Sequence, residues 1–247
     1  MLITCPSGLA FQARRWRIED RKTLLDRKDT RPVARRMLEV VAGNCENAGP
    51  YTTMVVGKPC DFLQVANVDI LSAIFDIRCD SKPMYFYDRW CERCGTKLEL
   101  QQKLPNLPRK PLSPEAIQFL STGQPIARKF GETELGIKLT FGSDLPLLEG
   151  ASTVAEQLTV NTVSHIAYLV RGPGAEAVSD MTRIRAWYES LDDWELVSAL
   201  EKTIDDIEGG IDMVIYQRCI NESCLAELKF SLPLEVGFFV PSMEPRR

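Results

Sequence analysis

The chain has 247 residues, of which 45% are apolar and 26% charged, and its net charge is -4 at neutral pH. That length buries a real core in one large domain or two small ones, and the composition is ordinary for a water-soluble globular protein. The acidic balance argues against a generally basic nucleic-acid binder, and no run reaches the roughly 18 apolar residues needed to span a bilayer.

The opening "MLITCPSGLA" lacks the charged start and long apolar run of a secretory leader, which predicts a protein made in a reducing cytoplasm. "LITCPSGLAFQARRWRI" reads as strand, turn, strand: Pro6, Ser7 and Gly8 supply the turn, and Leu9, Phe11 and Ala13 alternate with polar residues. Thr30 and Pro32 then fit a helix start, Val33, Met37, Leu38 and Val41 its apolar face, and Gly43 a left-handed close. Arg31, Arg35 and Arg36 fall on a separate basic face. The spacing of Phe62, Val65, Val68, Leu71, Ile74 and Phe75 predicts a helix over residues 61–78.

"YFYDRW" and "KLELQQKL" read as two strands around the Cys91–Cys94 turn. The four prolines of residues 104–114 predict an extended connector. Ser113 and Pro114 then open a short helix through Leu120, with Gly123 past its end. "ELGIKLTFGS" reads as a strand. Apolar spacing predicts further helices over residues 151–170 and 183–208. The second carries Trp187, Leu191, Trp194, Val197, Leu200, Ile204 and Ile207, with Asp192, Asp193, Glu201, Asp205 and Asp206 on its other face. "MVIYQRCINESCLAELKFSLPL" closes the pattern as strand, cysteine turn, strand.

Two of the eight cysteines form C-x-x-C (Cys91, Cys94) and two form C-x-x-x-x-C (Cys219, Cys224). Each pair sits between an aromatic strand and an alternating Lys/Glu strand. Two such turns can present four thiolates to one structural zinc ion. The 124 residues between Cys94 and Cys219 are no obstacle, because loop closure costs grow only logarithmically. A bound zinc contributes on the order of 10 kcal/mol to folding. Two other readings stand beside zinc: a redox C-x-x-C, which usually opens a helix, and disulfides, if the protein leaves the cell. Cys5, Cys45, Cys60 and Cys79 have no ligand spacing and read as buried or idle thiols.

Catalysis finds little footing. His165, the sole histidine, lies in the apolar stretch "TVSHIAYLV" and reads as structural rather than as a base. There is no Walker loop, G-x-S-x-G or H-E-x-x-H motif. An all-cysteine metal site is closed to substrate. The expectation is therefore a protein that is not an enzyme.

The order of motifs resembles the baseplate hub (hub assembly) proteins of contractile-tailed bacteriophages. The stretches that carry the resemblance are "CPSGLAFQARRW", "DILSAIFDIR" leading into "YFYDRWCERCG", "LPRKPLSPEAIQFLSTG", "GIKLTFGSDLP", and "CINESCLAELKFSLPLEVGFFVPS". It spans most of the chain loosely, and its distinctive parts are the cysteine hairpins and the "GFFVPS" ending. The longer second cysteine turn departs from the family pattern, and residues 43–60 have no counterpart in it. The resemblance implies Cys91, Cys94, Cys219 and Cys224 as metal ligands, and Phe238, Phe239 and Pro241 as a tail packed on a partner. It implies a structural or assembly role in the virion's tail baseplate, with assembly in the host cytoplasm. Partners would be other baseplate and tail proteins, or further copies of the chain, and not a small-molecule substrate, a membrane or a nucleic acid.

Charge is uneven along the chain: residues 1–36 hold ten Lys and Arg against four Asp and Glu, and residues 132–210 hold fifteen acids against five bases. Arg14, Arg15, Arg17, Arg31, Arg35 and Arg36 are candidates for one docking patch, the acidic helix face for another, although solvated helix faces carry such charge too. The fold class expected is α+β: mixed helices and short β-hairpins, with a zinc-ribbon-like four-cysteine site joining two distant hairpins. Residues 1–104 form a first unit, 105–212 a mainly helical second, and 213–247 the second cysteine hairpin and tail, closing on the first. The alternative function is a zinc-ribbon nucleic-acid-binding or regulatory protein, suggested by the basic front with Trp16 inside it.

Overall fold

The structure, a computed structural model, describes residues 1–26, 28–31, 33–52, 60–144 and 154–232. Pro32, residues 151–153 of the expected second helix, and the tail residues Phe238, Phe239 and Pro241 lie outside these.

Strands β1 (Leu2–Thr4) and β2 (Ala10–Ala13) form the first hairpin, and β3 (Cys45–Asn47) pairs with β2 to complete a three-stranded antiparallel sheet. Phe11 and Ala13 point inward, as their alternation predicts. Helix α1 (Ile18–Leu25) has no apolar stripe to announce it. Helix α2 (Val33–Asn44) buries Met37, Leu38 and Val41. Gly43 lies inside α2 and has no left-handed conformation; the helix ends at Asn44 and runs straight into β3. Arg36 is not on an exposed basic face. It is buried, and its guanidinium donates to the carbonyls of Leu24 and Asp26 (both 3.0 Å), tying α2 to the end of α1.

Helix α3 (Asn67–Ser81) starts later than its apolar spacing predicts. The carbonyls of Leu63 and Val65 are taken by the amides of Ser143 and Gly142 (2.9 and 3.0 Å). They cannot feed a helix, so Phe62 and Val65 are buried from a turn instead. The first hairpin docks on α3: the Ser7 amide and hydroxyl both donate to the Asp69 carboxylate (3.1 and 2.5 Å).

Strands β4 (Met84–Trp90) and β5 (Lys97–Lys103) form a seven-residue hairpin around Cys91 and Cys94. The proline-rich connector makes a 3₁₀ turn at Leu104–Asn106 and a two-residue strand, β6 (Arg109–Lys110). Helix α4 (Pro114–Thr122) begins and ends as expected: the Ser113 hydroxyl accepts from the Ala116 amide (3.1 Å), and Gly123 closes it at φ 71°. A three-stranded antiparallel sheet follows, β7 (Ile126–Phe130), β8 (Thr133–Ile137) and β9 (Ile166–Arg171), with β8 in the middle and helix α5 (Val154–Ser164) preceding β9.

The expected helix over 151–170 is thus a helix followed by a strand. Ile166, Tyr168 and Val170 favour the strand, and β8 offers an edge that Ile166 and Leu169 enter opposite Ile137 and Leu135. The expected helix over 183–208 is also two: α6 (Met181–Glu189) and α7 (Trp194–Glu208). Asp193 begins the second by accepting the amides of Glu195 and Leu196 (2.9 and 3.1 Å). Trp194 leaves the apolar stripe and stands 80% exposed, whereas Trp187 is buried. Strand β10 (Gly210–Ile211) pairs with β6 and leads into the last hairpin, β11 (Val214–Arg218) and β12 (Glu227–Ser231).

One core collects the first sheet, α2 and α3 around Phe11, Phe62 and Ile77, and a second collects β8, β9, α6 and α7 around Leu135, Ile166 and Leu200. Ala66 and Val68, at the start of α3, belong to the second core, while Ile70, Ile74 and Ile77 belong to the first. Leu232, directly after β12, inserts into the first core. The architecture is therefore mixed helix and small antiparallel sheets. No helix among the described residues is long and apolar enough to cross a membrane.

Candidate metal centre

Each cysteine pair lies at the tip of an antiparallel hairpin whose register runs up to it. Trp90 faces Lys97 on one, and Arg218 faces Glu227 on the other. The tips are closed by backbone bonds: Cys91 donates to Thr96 and Gly95 to Cys91 (2.9 and 2.8 Å), while Cys219 donates to Ala226 and Cys224 to Asn221 (2.9 and 2.8 Å). Gly95 and Leu225, each directly after the second cysteine of its pair, share a left-handed backbone at φ 69° and 45°. The two turns are built alike despite their different lengths.

The hairpins meet face to face. The Tyr87 ring meets Phe230 edge-on, with centroids 5.8 Å apart, and the Arg89 guanidinium lies over the same ring. Leu98, fully buried, packs with Cys91 and Cys219 in a small third core joined by Leu100, Ala226 and Leu228. The Asn221 side-chain amide reaches the Thr96 hydroxyl (3.4 Å), bridging the two turns.

This packing brings the four thiols together. The sulfurs of Cys91, Cys94, Cys219 and Cys224 all lie within 4.8 Å of one another. Across the hairpins, Cys91 is 3.9 Å from Cys224 and Cys94 is 3.6 Å from Cys219. A disulfide needs about 2 Å, and neither pair is that close. Cys91 and Cys219 are buried, and Cys94 is exposed. Such a donor set, all sulfur and convergent, is able to hold one soft or borderline metal ion.

The electrostatics of the cluster points the same way. The Thr96 hydroxyl, 3.2 Å from the Cys94 sulfur, and then the Thr96 backbone hold that thiol down to about 6. The Asn221 backbone pulls the Cys219 thiol down too, but removal from water and the neighbouring thiols push it up to about 12 overall. One thiolate forms readily and then opposes the next. A cation held between the sulfurs would relieve that opposition.

The other candidate residues fall elsewhere. Cys5, Cys45 and Cys60 are buried in the first core, with the Cys60 thiol 3.2 Å from the Cys45 carbonyl; Cys79 is half-buried. Burial pushes the Cys45 thiol up to about 12. His165 sits in the turn between α5 and β9, 2% exposed. Several charges of the basic and acidic patches meet partners within the chain. Arg14 pairs with Asp20, Arg15 with Asp80, and Arg31 with Asp29 and Glu39. Lys110 meets Asp205 and Asp206 of α7. Thr96 and Asn221, which brace the thiols, left no mark in the sequence reading: a Thr or an Asn beside a cysteine is unremarkable until the two turns meet. No protein-family model, curated protein or solved structure matches the chain.

Proposed function

We propose that Cys91, Cys94, Cys219 and Cys224 bind one structural zinc ion in a zinc-ribbon-like site that staples the β4–β5 hairpin to the β11–β12 hairpin. The observation that carries this reading is the sulfur spacing. Four sulfurs about 2.3 Å from a tetrahedral zinc stand about 3.8 Å apart. The Cys94–Cys219 and Cys91–Cys224 separations, 3.6 and 3.9 Å, bracket that value, and all four sulfurs lie within 4.8 Å of one another. Four cysteine ligands leave no open position for substrate, so the site holds the chain together and does no chemistry.

On this reading the chain is a structural component of the hub region of a contractile-tail baseplate, working through contacts with other tail proteins. The support for that role is the order of motifs along the sequence, with the two cysteine hairpins as its most specific part. The competing role in nucleic-acid binding is weakened by the arginines of the N-terminal segment. Arg14, Arg15 and Arg31 already face carboxylates, and Arg36 is buried against backbone carbonyls.

Native mass spectrometry tests the metal: one zinc per chain is expected, lost on chelation together with most of the thermal stability. A metal-free chain with four free thiols and unchanged stability would sink the staple. Proteomics of purified tails from the encoding virus tests the role. Finding the chain in neither the tails nor their assembly intermediates would remove it.

A further inference from the structure

His165 is the only histidine in the chain, it is 2% exposed, and neither metal nor catalysis accounts for it. Its Nδ1 lies 2.8 Å from the carbonyl of Asn161. A carbonyl only accepts, so Nδ1 carries a proton. Its Nε2 lies 3.3 Å from the Glu208 carboxylate at the last residue of α7, a charge contact rather than an aligned hydrogen bond. If Nε2 were bare, a buried lone pair would face a carboxylate oxygen with nothing between them. The arrangement is favourable when Nε2 carries a proton.

We infer that His165, protonated on both ring nitrogens, pairs with the Glu208 carboxylate as a pH-released latch, fastening the end of α7 to the α5–β9 turn. The consequence reaches beyond α7. The carbonyl of Ile207 accepts the Ser113 amide that opens α4 (3.1 Å), and Gly209 and Gly210 lead into β10 and so to the hairpin bearing Cys219 and Cys224. The turn itself is held on its other side, where the Lys138 amide donates to the His165 carbonyl (2.8 Å). The latch thus joins the second core to the strand that delivers half of the thiol cluster. It stands whether or not a metal fills that cluster.

The charged groups that act on the ring are Glu208 from α7 and Lys138 directly after β8; α5 contributes the uncharged Asn161 carbonyl. Burial lowers the imidazole's affinity for a proton and so does Lys138. Glu208 and the Asn161 carbonyl outweigh them, and the net direction is upward. A histidine raised on folding contributes stability that is complete below its unfolded value of about 6.5 and is lost as pH rises through the folded value. The latch is therefore closed in mild acid and opens toward alkaline pH.

The single imidazole makes the test direct. NMR of the full-length chain, titrated from acid to alkaline pH, should show protons on both ring nitrogens at pH 6 and one midpoint above that of a free histidine. Glu208→Gln should lower that midpoint. Amide-exchange protection at Ile207 and Glu208 should fall several-fold as the ring loses its proton. A ring that is neutral at pH 6, a midpoint indifferent to Glu208→Gln, or protection that stays level through the midpoint would overturn the latch. If Glu208→Gln fails to fold, ring protonation and amide protection in the unaltered chain still decide.

Discussion

Leu225 bears a cost that its counterpart Gly95 avoids. Both follow the second cysteine of a turn with a left-handed backbone, and Leu225 is the one non-glycine residue with positive φ among the described residues. An L-side chain in that region loses roughly 1–2 kcal/mol to contact between its Cβ and the backbone. The Leu225 side chain is 59% exposed, so little burial offsets the strain. Leu225→Gly is therefore expected to stabilise the chain by about 1 kcal/mol, read as a higher urea midpoint with an unchanged slope. A neutral or lower midpoint would mean that the leucine makes contacts worth its strain. The residue scale also shows how little a charge census reveals. Arg35 and Arg36 are neighbours in sequence, yet one sits at the surface beside Glu39 while the other is buried against backbone carbonyls.

At the level of elements, the break between α6 and α7 is the clearest departure from the apolar pattern. Trp187, Leu200, Ile204 and Ile207 are buried on both sides of it, so the apolar spacing carries on while the backbone does not. Asp193 holds the new start by accepting two amides that would otherwise lack partners. Asp193→Ala should cost about 1 kcal/mol in thermal or chemical unfolding. Were the segment one continuous helix, the same change would place a better helix former in its interior and stabilise it. The sign of the shift separates the two. The split of the 151–170 segment has a different origin. There, β8 supplies an unpaired edge, and the hydrogen bonds gained along β9 decide the conformation of residues whose apolar spacing fits either element.

At the scale of the whole molecule, the four-thiol cluster brings sequence-distant parts together. Its two halves are separated by 124 intervening residues, and Leu232, directly after β12, sits in the first core. If one ion holds all four sulfurs, Cys91→Ser and Cys219→Ser each abolish the same site. The double variant should then be scarcely less stable than either single one, with the coupling read from a double-mutant cycle in excess zinc. Two independent links, Cys91 to Cys224 and Cys94 to Cys219, would instead give losses that add. The cycle thus distinguishes a shared ion from a pair of disulfides without removing any metal.

What the sequence determined by itself lies within a few residues. The cysteine turns and their alternating strands were legible, as were the first hairpin around Pro6–Gly8 and the helix between Ser113 and Gly123, because capping, turn chemistry and alternation act locally. The pairing of the two cysteine turns was also readable as a likeness of their surroundings. The tertiary structure decided the rest. Apolar spacing reports which side chains are buried and not what the backbone does between them. Residues 62–65 and 166–170 therefore took their conformations from partners elsewhere in the chain, the amides at 142 and 143 and the edge of β8, whereas the break at 190–193 is closed locally by the Asp193 cap. The distances among the four sulfurs belong to the same class. They follow from how Tyr87, Leu98 and Phe230 pack one hairpin on the other, and no spacing along the sequence encodes that.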